Sequence, residues 1–260
     1  SRPCMTRRRA ASPTTGWTCK RMTPKKRRRR PTKTSALRAL KDRGLEISTV
    51  IDVGAQYQTE ELIDLFGDKF HVLFEPVAEF APYVAQHYAE VDHVLVEAAC
   101  AEAPGTLTLR LASLDKSGLV SHSSIDFERD TWTAGGEEWT EERPIPVVRV
   151  DDEIKRLRAP GPYLLKIDVD GVELSVLAGC TGILPEVSVL VIEAQAVNAP
   201  ERIAAVVAQG FQLVDVVDIT YYDGMMWQAD FLFVSKALAK TNPFKPEQGE
   251  PFDFHKYQHT

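Results

Sequence analysis

The chain has 260 residues, of which 44% are hydrophobic and 26% are charged. This length and composition are typical of one soluble α/β domain with a sizeable core. No apolar run approaches the roughly 18 residues that a membrane helix needs, and the basic start is not followed by the apolar stretch of a signal peptide. The sequence therefore predicts a cytoplasmic protein that is neither secreted nor membrane-spanning.

The four cysteines are scattered along the chain, at Cys4, Cys19, Cys100 and Cys180. They form no CxxC pair, so neither a zinc site nor a disulfide framework is expected. Reduced thiols in a cytosol are the simplest interpretation.

The formal net charge of −6 combines two very different regions. Residues 1–33 hold 13 of the 31 Lys and Arg residues and no Asp or Glu, which leaves 18 basic against 37 acidic residues in the rest of the chain. Such an acidic body does not favour nucleic acid as a partner, because phosphate affinity needs a basic face. Residues 1–34 are predicted to be a disordered basic tail. The run 25–31 is either an arm for nucleic acid or another anionic surface, or a solvated extension.

A folded domain is predicted over residues 35–240, followed by a polar C-terminal extension over 241–260. After a short helix around Leu37 and Leu40, strands and helices alternate. The predicted strands cover 49–53, 70–75, 93–98, 106–111, 145–150, 163–168, 187–193, 211–217 and 231–235. The predicted helices cover 59–66, 77–88, 151–157, 171–179 and 199–208. This alternation predicts a mostly parallel sheet with helices on both faces, and the turn signal at 221–224 predicts a final antiparallel hairpin.

The segment 112–143 is polar and irregular, which is typical of a lid or mobile loop over a site. His122 lies in this segment and is either a base or a solvated histidine. The preceding strand 106–111 follows Pro104 and Gly105 and is predicted to be a hairpin partner.

The strand Thr49–Val53 runs directly into Gly54, and the next strand ends in Glu75. A glycine turn that opens a helix and an acid at the tip of the next strand are the parts of a nucleotide-cofactor cradle. Gly54 is predicted to let the backbone pass close to the cofactor, Asp52 to anchor the loop or the ligand's amino group, and Glu75 to accept hydrogen bonds from ribose hydroxyls. An ordinary strand-to-helix turn and a solvated acid are the alternatives.

The single glycine of this turn argues against NAD, whose pyrophosphate needs the fuller pattern GxGxxG. A cofactor with a ribose and no pyrophosphate fits better, and S-adenosylmethionine (SAM) is such a cofactor.

A second cluster, Asp168, Asp170 and Glu173, follows the strand 163–168. Three carboxylates within six residues are able to hold a divalent cation, or one of them is able to act as a general base toward a substrate hydroxyl. The structural alternative is that Asp170 caps the following helix and Glu173 favours its positive end. Glu193, at the end of a later strand, is either a substrate or metal contact or a plain surface acid. Asp230, inside an apolar strand, has either a role in the site or a structural salt bridge.

These motifs together resemble the FkbM family of SAM-dependent methyltransferases. The resemblance spans about residues 45–236, and its most specific segment is Lys166–Glu173. It implies the class I, Rossmann-like methyltransferase fold, with a seven-stranded sheet whose last strand is reversed. The residues that match the family's cofactor-binding segments are Asp52, Gly54, Ala55, Gln56, Glu75 and Pro76. The chain departs from the family pattern at Gln58, where the family usually has glycine.

The resemblance also implies O-methylation of a sugar, glycan or other small hydroxylated metabolite, with Asp168, Asp170 and Glu173 as catalytic candidates and SAM as cofactor. The need for a divalent metal is left open. The alternative function is a degenerate SAM-binding or interaction protein without turnover, which the loss of glycine at Gln58 motivates.

Overall fold

A computed structural model describes residues 32–112, 122–124 and 141–241. The helices are α1 (Lys33–Lys41), α2 (Glu60–Phe66), α3 (Ala81–His87), α4 (Val150–Leu157), α5 (Glu173–Ala178), α6 (Ala199–Ala208) and α7 (Lys236–Ala239). The strands are β1 (Thr49–Val53), β2 (Phe70–Phe74), β3 (His93–Val96), β4 (Ala99–Cys100), β5 (Gly105–Ala112), β6 (His122–Ser124), β7 (Glu141–Val148), β8 (Tyr163–Ile167), β9 (Val187–Gln195), β10 (Phe211–Tyr222) and β11 (Met225–Ser235). The run 25–31, most of the predicted basic tail, Cys4, Cys19 and nearly all of the predicted C-terminal extension lie outside the described residues.

The main sheet confirms the predicted fold class. Among the described residues, seven strands pair in the order β10-β11-β9-β8-β1-β2-β3. The pairs from β9 to β3 are parallel, whereas β11 runs antiparallel to both β9 and β10. The last strand is therefore the reversed one, and the C-terminal hairpin is present. Its strands are longer than predicted, because residues 218–222, of which only 220–222 are exposed, continue β10 beyond its predicted end.

The centre of the sheet explains why the candidate site lies at one edge. All five residues of β1 and all five of β8 are buried, because helices cover both faces of the sheet. The parallel strands β1, β2, β8 and β9 end at the same edge. Polar side chains that follow these strands are therefore brought together there, as is usual in open α/β sheets.

A second, four-stranded sheet has the order β4-β7-β5-β6. The predicted hairpin strand 106–111 is β5, and it pairs antiparallel with β7. The prediction that 112–143 is irregular is wrong for 122–124 and for 141–143, which form β6 and the start of β7. The start of β7 is not recognisable from the sequence, because its first residues are charged and its buried positions begin only at Ile145. The rest of 112–143 lies outside the described residues.

Helix α1 begins two residues before the predicted domain boundary at residue 35. The Oγ1 atom of Thr32 accepts a hydrogen bond from the Ser35 backbone N–H, and Ser35 Oγ accepts from the Thr32 N–H, each at 3.2 Å. This capping box fixes the first turn of the helix, and it places Lys33 at the site described next.

In the described ranges, no helix is long and apolar enough to cross a membrane. Cys100 and Cys180 are buried free thiols.

Candidate functional site

The turn after β1 is shaped by its contact with the end of β8. Gly54 has a φ of +85°, which favours glycine, and a Cβ atom at this position would lie 1.9 Å from the backbone oxygen of Asp168. The glycine therefore lets the β1 loop pass against the β8 end. Gln56 also has a positive φ, of 49°, so this short loop turns sharply away from the strand.

We expect Gly54→Ala to lower the free energy of unfolding by about 2–3 kcal/mol, because the new methyl group overlaps backbone atoms and the positive φ is strained. Gly210→Ala is the matched control, since Gly210 has a φ of +93° but nothing within 4 Å of its Cβ position. Its cost should be limited to strain, about 1 kcal/mol. Urea unfolding of both variants measures the difference, and equal costs would contradict the predicted overlap.

Asp52 anchors the β1 loop through contacts with α2 and β8. It is fully buried, and its Oδ2 atom accepts a hydrogen bond of 2.6 Å from the Thr59 hydroxyl at the start of α2. Its Oδ1 atom lies 3.1 Å from the Nζ atom of Lys166. Both oxygens of Asp52 are thus engaged by the protein, which is the loop-anchoring arrangement considered from the sequence.

Lys166 joins two carboxylates at the centre of the site. Its Nζ atom lies 3.1 Å from Asp52 Oδ1 and 3.1 Å from Asp168 Oδ2, and its side chain is only 4% exposed. Burial alone lowers the pKa of Lys166, but the carboxylates of Asp168 and Asp52 outweigh burial and raise it well above its ordinary value. In the same way, burial raises the pKa of Asp168, and the stronger combined effect of Lys166 and Lys33 lowers it. The charged forms of both groups are therefore favoured.

Glu75 follows β2 and braces the same loop. Its Oε2 atom accepts a hydrogen bond of 2.8 Å from the Gln56 N–H, and its Oε1 atom accepts one of 2.9 Å from the Val77 N–H, across Pro76. The residue is 3% exposed. Burial raises the pKa of Glu75 to about 7, although these two hydrogen bonds act in the opposite direction. Each carboxylate oxygen keeps a second lone pair for a further donor.

Glu173, the third predicted catalytic carboxylate, lies in a buried ion pair. Its Oε2 atom accepts hydrogen bonds from Arg202 Nε at 3.1 Å and Nη2 at 2.8 Å, and its Oε1 atom accepts from the Gly171 N–H at 2.9 Å. Arg202 also donates to the Gly171 carbonyl at 3.2 Å. The pair thus holds the turn after β8 from inside the protein. Asp170, in that turn, is exposed.

Three further carboxyl groups extend from the end of β8 across the sheet. Asp168, Glu193 and Asp230, here called the acid row, lie on one face, because Glu193 follows the pair Ile167–Ile192 and is itself paired with Asp230. The carboxyl groups of Asp168 and Glu193 lie close enough for each to shift the pKa of the other. The Gln228 side chain donates to Glu193 Oε1 at 2.6 Å.

Lys33 of α1 reaches the far end of the acid row. Its Nζ atom lies 3.0 Å from Asp230 Oδ2 and 3.4 Å from Glu61 Oε1 on α2. Its backbone N–H donates to Asp218 Oδ2 at 2.9 Å. Lys33, which was predicted to belong to the disordered basic tail, therefore connects helix α1 to the site.

The residues present do not fit a divalent metal held by Asp168, Asp170 and Glu173, because Glu173 is directed to Arg202 and Gly171. Within residues 32–112, 122–124 and 141–241, no group of three or more His, Cys, Asp or Glu side chains is placed to hold a metal ion.

Lys166 and Lys33 are the site residues that sequence reasoning missed. A signal for Lys166 was present, since a lysine inside the apolar run 163–167 needs a buried partner. No local signal identified Lys33, because its partner Asp230 lies almost at the other end of the domain. The side chain of His122 lies outside the described residues.

The sheet order, with its reversed last strand, is that of the class I methyltransferase fold. The family described as the methyltransferase FkbM domain matches residues 52–222. The chain belongs to the FkbM methyltransferase domain family, which confirms the resemblance read from the motifs. Its family and fold are those of SAM-dependent methyltransferases.

Solved structures with a similar fold include methyltransferases of different kinds. Precorrin-6y C5,15-methyltransferase from Geobacter metallireducens GS-15 aligns at 10% identity over 77% of this chain and 89% of its own, with a TM-score of 0.42. The fibrillarin pre-rRNA processing protein of Methanococcus jannaschii aligns at 12% identity over 78% and 75%, with a TM-score of 0.43. Ribosomal protein L11 methylase from Lactobacillus delbrueckii subsp. bulgaricus aligns at 13% identity over 75% and 75%, with a TM-score of 0.37. Similarity at this level says nothing about substrate. No protein of curated function has a matching sequence.

Proposed function

We propose that this domain is a SAM-dependent O-methyltransferase that acts on a hydroxyl of a sugar, a glycan or another small hydroxylated metabolite. The observation that carries the proposal is the placement of Asp168. This carboxylate ends a central strand, touches the β1 loop through its backbone, is kept ionised by Lys166 and has a side chain that is 29% exposed. A ligand at this edge is therefore able to reach an ionised acid at the end of β8.

The carboxylates and the glycine turn of the site suit the ribose and the positive charge of SAM. Glu75 presents a buried carboxylate to a ribose diol, and the β1 loop of Gly54, Ala55 and Gln56 lies between Glu75 and Asp168. We assign cofactor binding to this loop together with Asp52, which holds it from below, and to Glu75 with Pro76. SAM, when bound, supplies a methyl group on a positively charged sulfur, so it also suits an edge that is rich in carboxylates.

The proton of the acceptor hydroxyl passes to Asp168 as the hydroxyl oxygen is methylated. A hydroxyl is a weak nucleophile, so a positioned base is worth about 10²–10⁴-fold in rate. Aligning the acceptor with the methyl group supplies a further part of the acceleration. Asp170 is exposed beside Asp168 and is assigned a contact with the acceptor, whereas Glu173 acts through the Gly171 turn that it holds with Arg202.

Calorimetry with SAM and S-adenosylhomocysteine (SAH) tests the cofactor assignment. We expect both ligands to bind, and we expect Glu75→Ala to weaken each of them by about 10- to 100-fold, because a hydrogen bond to a charged group is lost. Glu90→Ala removes an exposed glutamate and should change neither affinity. Thermal unfolding of each variant separates a lost ligand contact from a collapsed loop. No heat from either ligand would favour the alternative function, a degenerate fold used for interaction.

The acceptor is sought with SAM that carries a tritiated methyl group, over glycans, lipids and small hydroxylated metabolites. Transfer to a hydroxylated compound is expected. Transfer only to nitrogen acceptors or nucleic acid would overturn the assignment of O-methylation.

A further inference from the structure

The acid row contains more carboxylates than the neighbouring cations neutralise. Lys166 is shared between Asp52 and Asp168, and Lys33 is shared between Asp230 and Glu61. Across the described ranges, no Lys, Arg or His side chain forms an ion pair with Glu193, whose side-chain partners are Gln228 and the carboxyl group of Asp168. Two lysines therefore face five carboxyl groups, and the row carries surplus negative charge when its three acids are ionised.

A carboxylate oxygen in the acid row also lacks a hydrogen-bond donor within the described ranges. The Oδ1 atom of Asp230 is buried and has no hydrogen-bond partner among the described residues, and Asp230 as a whole is 4% exposed. An isolated buried carboxylate oxygen is costly unless a donor or a positive charge reaches it. Asp230 is paired with Glu193 across β9 and β11. Glu193, which has no cation partner in the described part of the chain, and the unsatisfied oxygen of Asp230 are therefore neighbours.

The free protein resolves the surplus charge by holding a proton. Burial and the neighbouring acids raise the pKa of Glu193 to about 9, and burial raises the pKa of Asp230 to about 6. The acids that act directly on Glu193 are Asp168 and Asp170, in the turn after β8, and Asp230 on β11. Behind them, Lys166 contacts Asp168 and Asp52, and Lys33 contacts Asp230 and Glu61. A raised pKa favours the protonated form of Glu193, and a nearby cation favours its ionised form.

The acid row begins at Asp168, the residue that the proposed function places beside the reacting groups. In the proposed function Asp168 takes the proton of the acceptor hydroxyl, so Asp168 and its neighbour Glu193 would be the acids that the charge of SAM affects most. The acid row would balance that positive charge, whereas uncharged SAH would not supply one.

We propose that Glu193, supported by Asp230, determines the preference of this site for positively charged SAM over SAH, because SAM displaces the proton that the acid row holds in the free protein. This inference rests on the proposed function. It assigns to Glu193 a specificity-determining role that is separate from proton removal by Asp168. It also gives a reason for the product to leave, since the row takes its proton back when the sulfur loses its charge.

Proton-linked calorimetry tests the proposal with SAM and SAH as probes. At pH 7.5, titrations in phosphate and in Tris buffer give the number of protons released from the difference in buffer ionisation heat. We expect SAM to release about half a proton or more and SAH to release much less. We also expect SAM affinity to rise more steeply than SAH affinity between pH 7.5 and 9, because a proton on Glu193 competes with the cation, whereas ionisation of Glu75 acts on both ligands alike.

Glu193→Gln is the informative variant, since the amide keeps the shape of the side chain and cannot ionise. It should remove most of the proton release and reduce the SAM-to-SAH preference by about tenfold, with SAH affinity unchanged. Asp230→Asn should act in the same direction, and Glu90→Gln, an exposed control, should have no effect. Folding is checked by unfolding at pH 9, where Glu193→Gln should be at least as stable as the original protein. The stability linked to a raised carboxyl pKa is lost as pH rises toward that pKa.

Equal proton release by SAM and SAH, or an unchanged preference in Glu193→Gln, would overturn this inference and leave the proposed function intact. Absence of binding by both ligands to the original protein would overturn the proposed function and the inference together. The two failures are therefore distinguishable in one set of titrations.

Discussion

Arg202→Met is expected to lower the free energy of unfolding by about 3–5 kcal/mol, because it leaves the Glu173 carboxylate buried without its partner. Arg202 is fully buried and Glu173 is 4% exposed, so water cannot replace the lost contacts. The two residues also tie α6 to the turn that opens α5, through Gly171. Chemical denaturation with urea gives the change, with the slope of the transition compared to show that the unfolded state is not altered.

Arg156→Met is the matched control for this prediction. Arg156 makes a contact of 2.6 Å with Glu153, yet its side chain is 60% exposed. An exposed pair of this kind contributes little to stability, so no measurable change is expected. The double variant Glu173→Gln, Arg202→Met should recover part of the stability lost in Arg202→Met, since it removes the buried charge. If the two single arginine variants cost the same, the ion pair does not hold the turn as described.

Much of the main sheet was predictable because its strands are buried on both faces. Runs such as 163–167 and 187–193 are nearly continuous in apolar residues, and a glycine or an acid marks where β1 and β2 end. These are local properties, so a single sequence contains them. The second sheet was harder to predict, since β7 begins with charged exposed residues and depends on pairing with β5 for its structure.

The candidate site divides in the same way. Gly54, Glu75 and Asp168 occur at strand ends, and the sequence alone indicated them as site residues. Their partners are set by packing between distant segments: Lys33 meets Asp230, and Arg202 meets Glu173. Nothing near Arg202 in the sequence separates a buried arginine from an exposed one on a helix. Glu173 was expected as a catalytic candidate, but its carboxylate is buried and forms an ion pair with Arg202.

Asp168→Asn is expected to reduce turnover by about 10²–10⁴-fold on the acceptor that the methyl-transfer screen identifies, because an amide cannot take the proton of the hydroxyl. The change keeps the size of the side chain, and Lys166 keeps its contact with Asp52. SAH binding, measured by calorimetry, should therefore be largely unchanged, which shows that the cofactor site is intact. Asp64→Asn replaces an exposed aspartate of α2 and is the control for both measurements.

The pH dependence sharpens this test. Since Lys166 and Lys33 hold the pKa of Asp168 below its ordinary value, the carboxylate stays ionised across the neutral range, and turnover at saturating SAM should not fall until the medium is distinctly acidic. A base of low pKa is intrinsically weak, so its contribution depends on position more than on basicity. Full turnover in Asp168→Asn would remove Asp168 from the reaction. Loss of turnover together with loss of SAH binding would instead assign Asp168 to holding the cofactor.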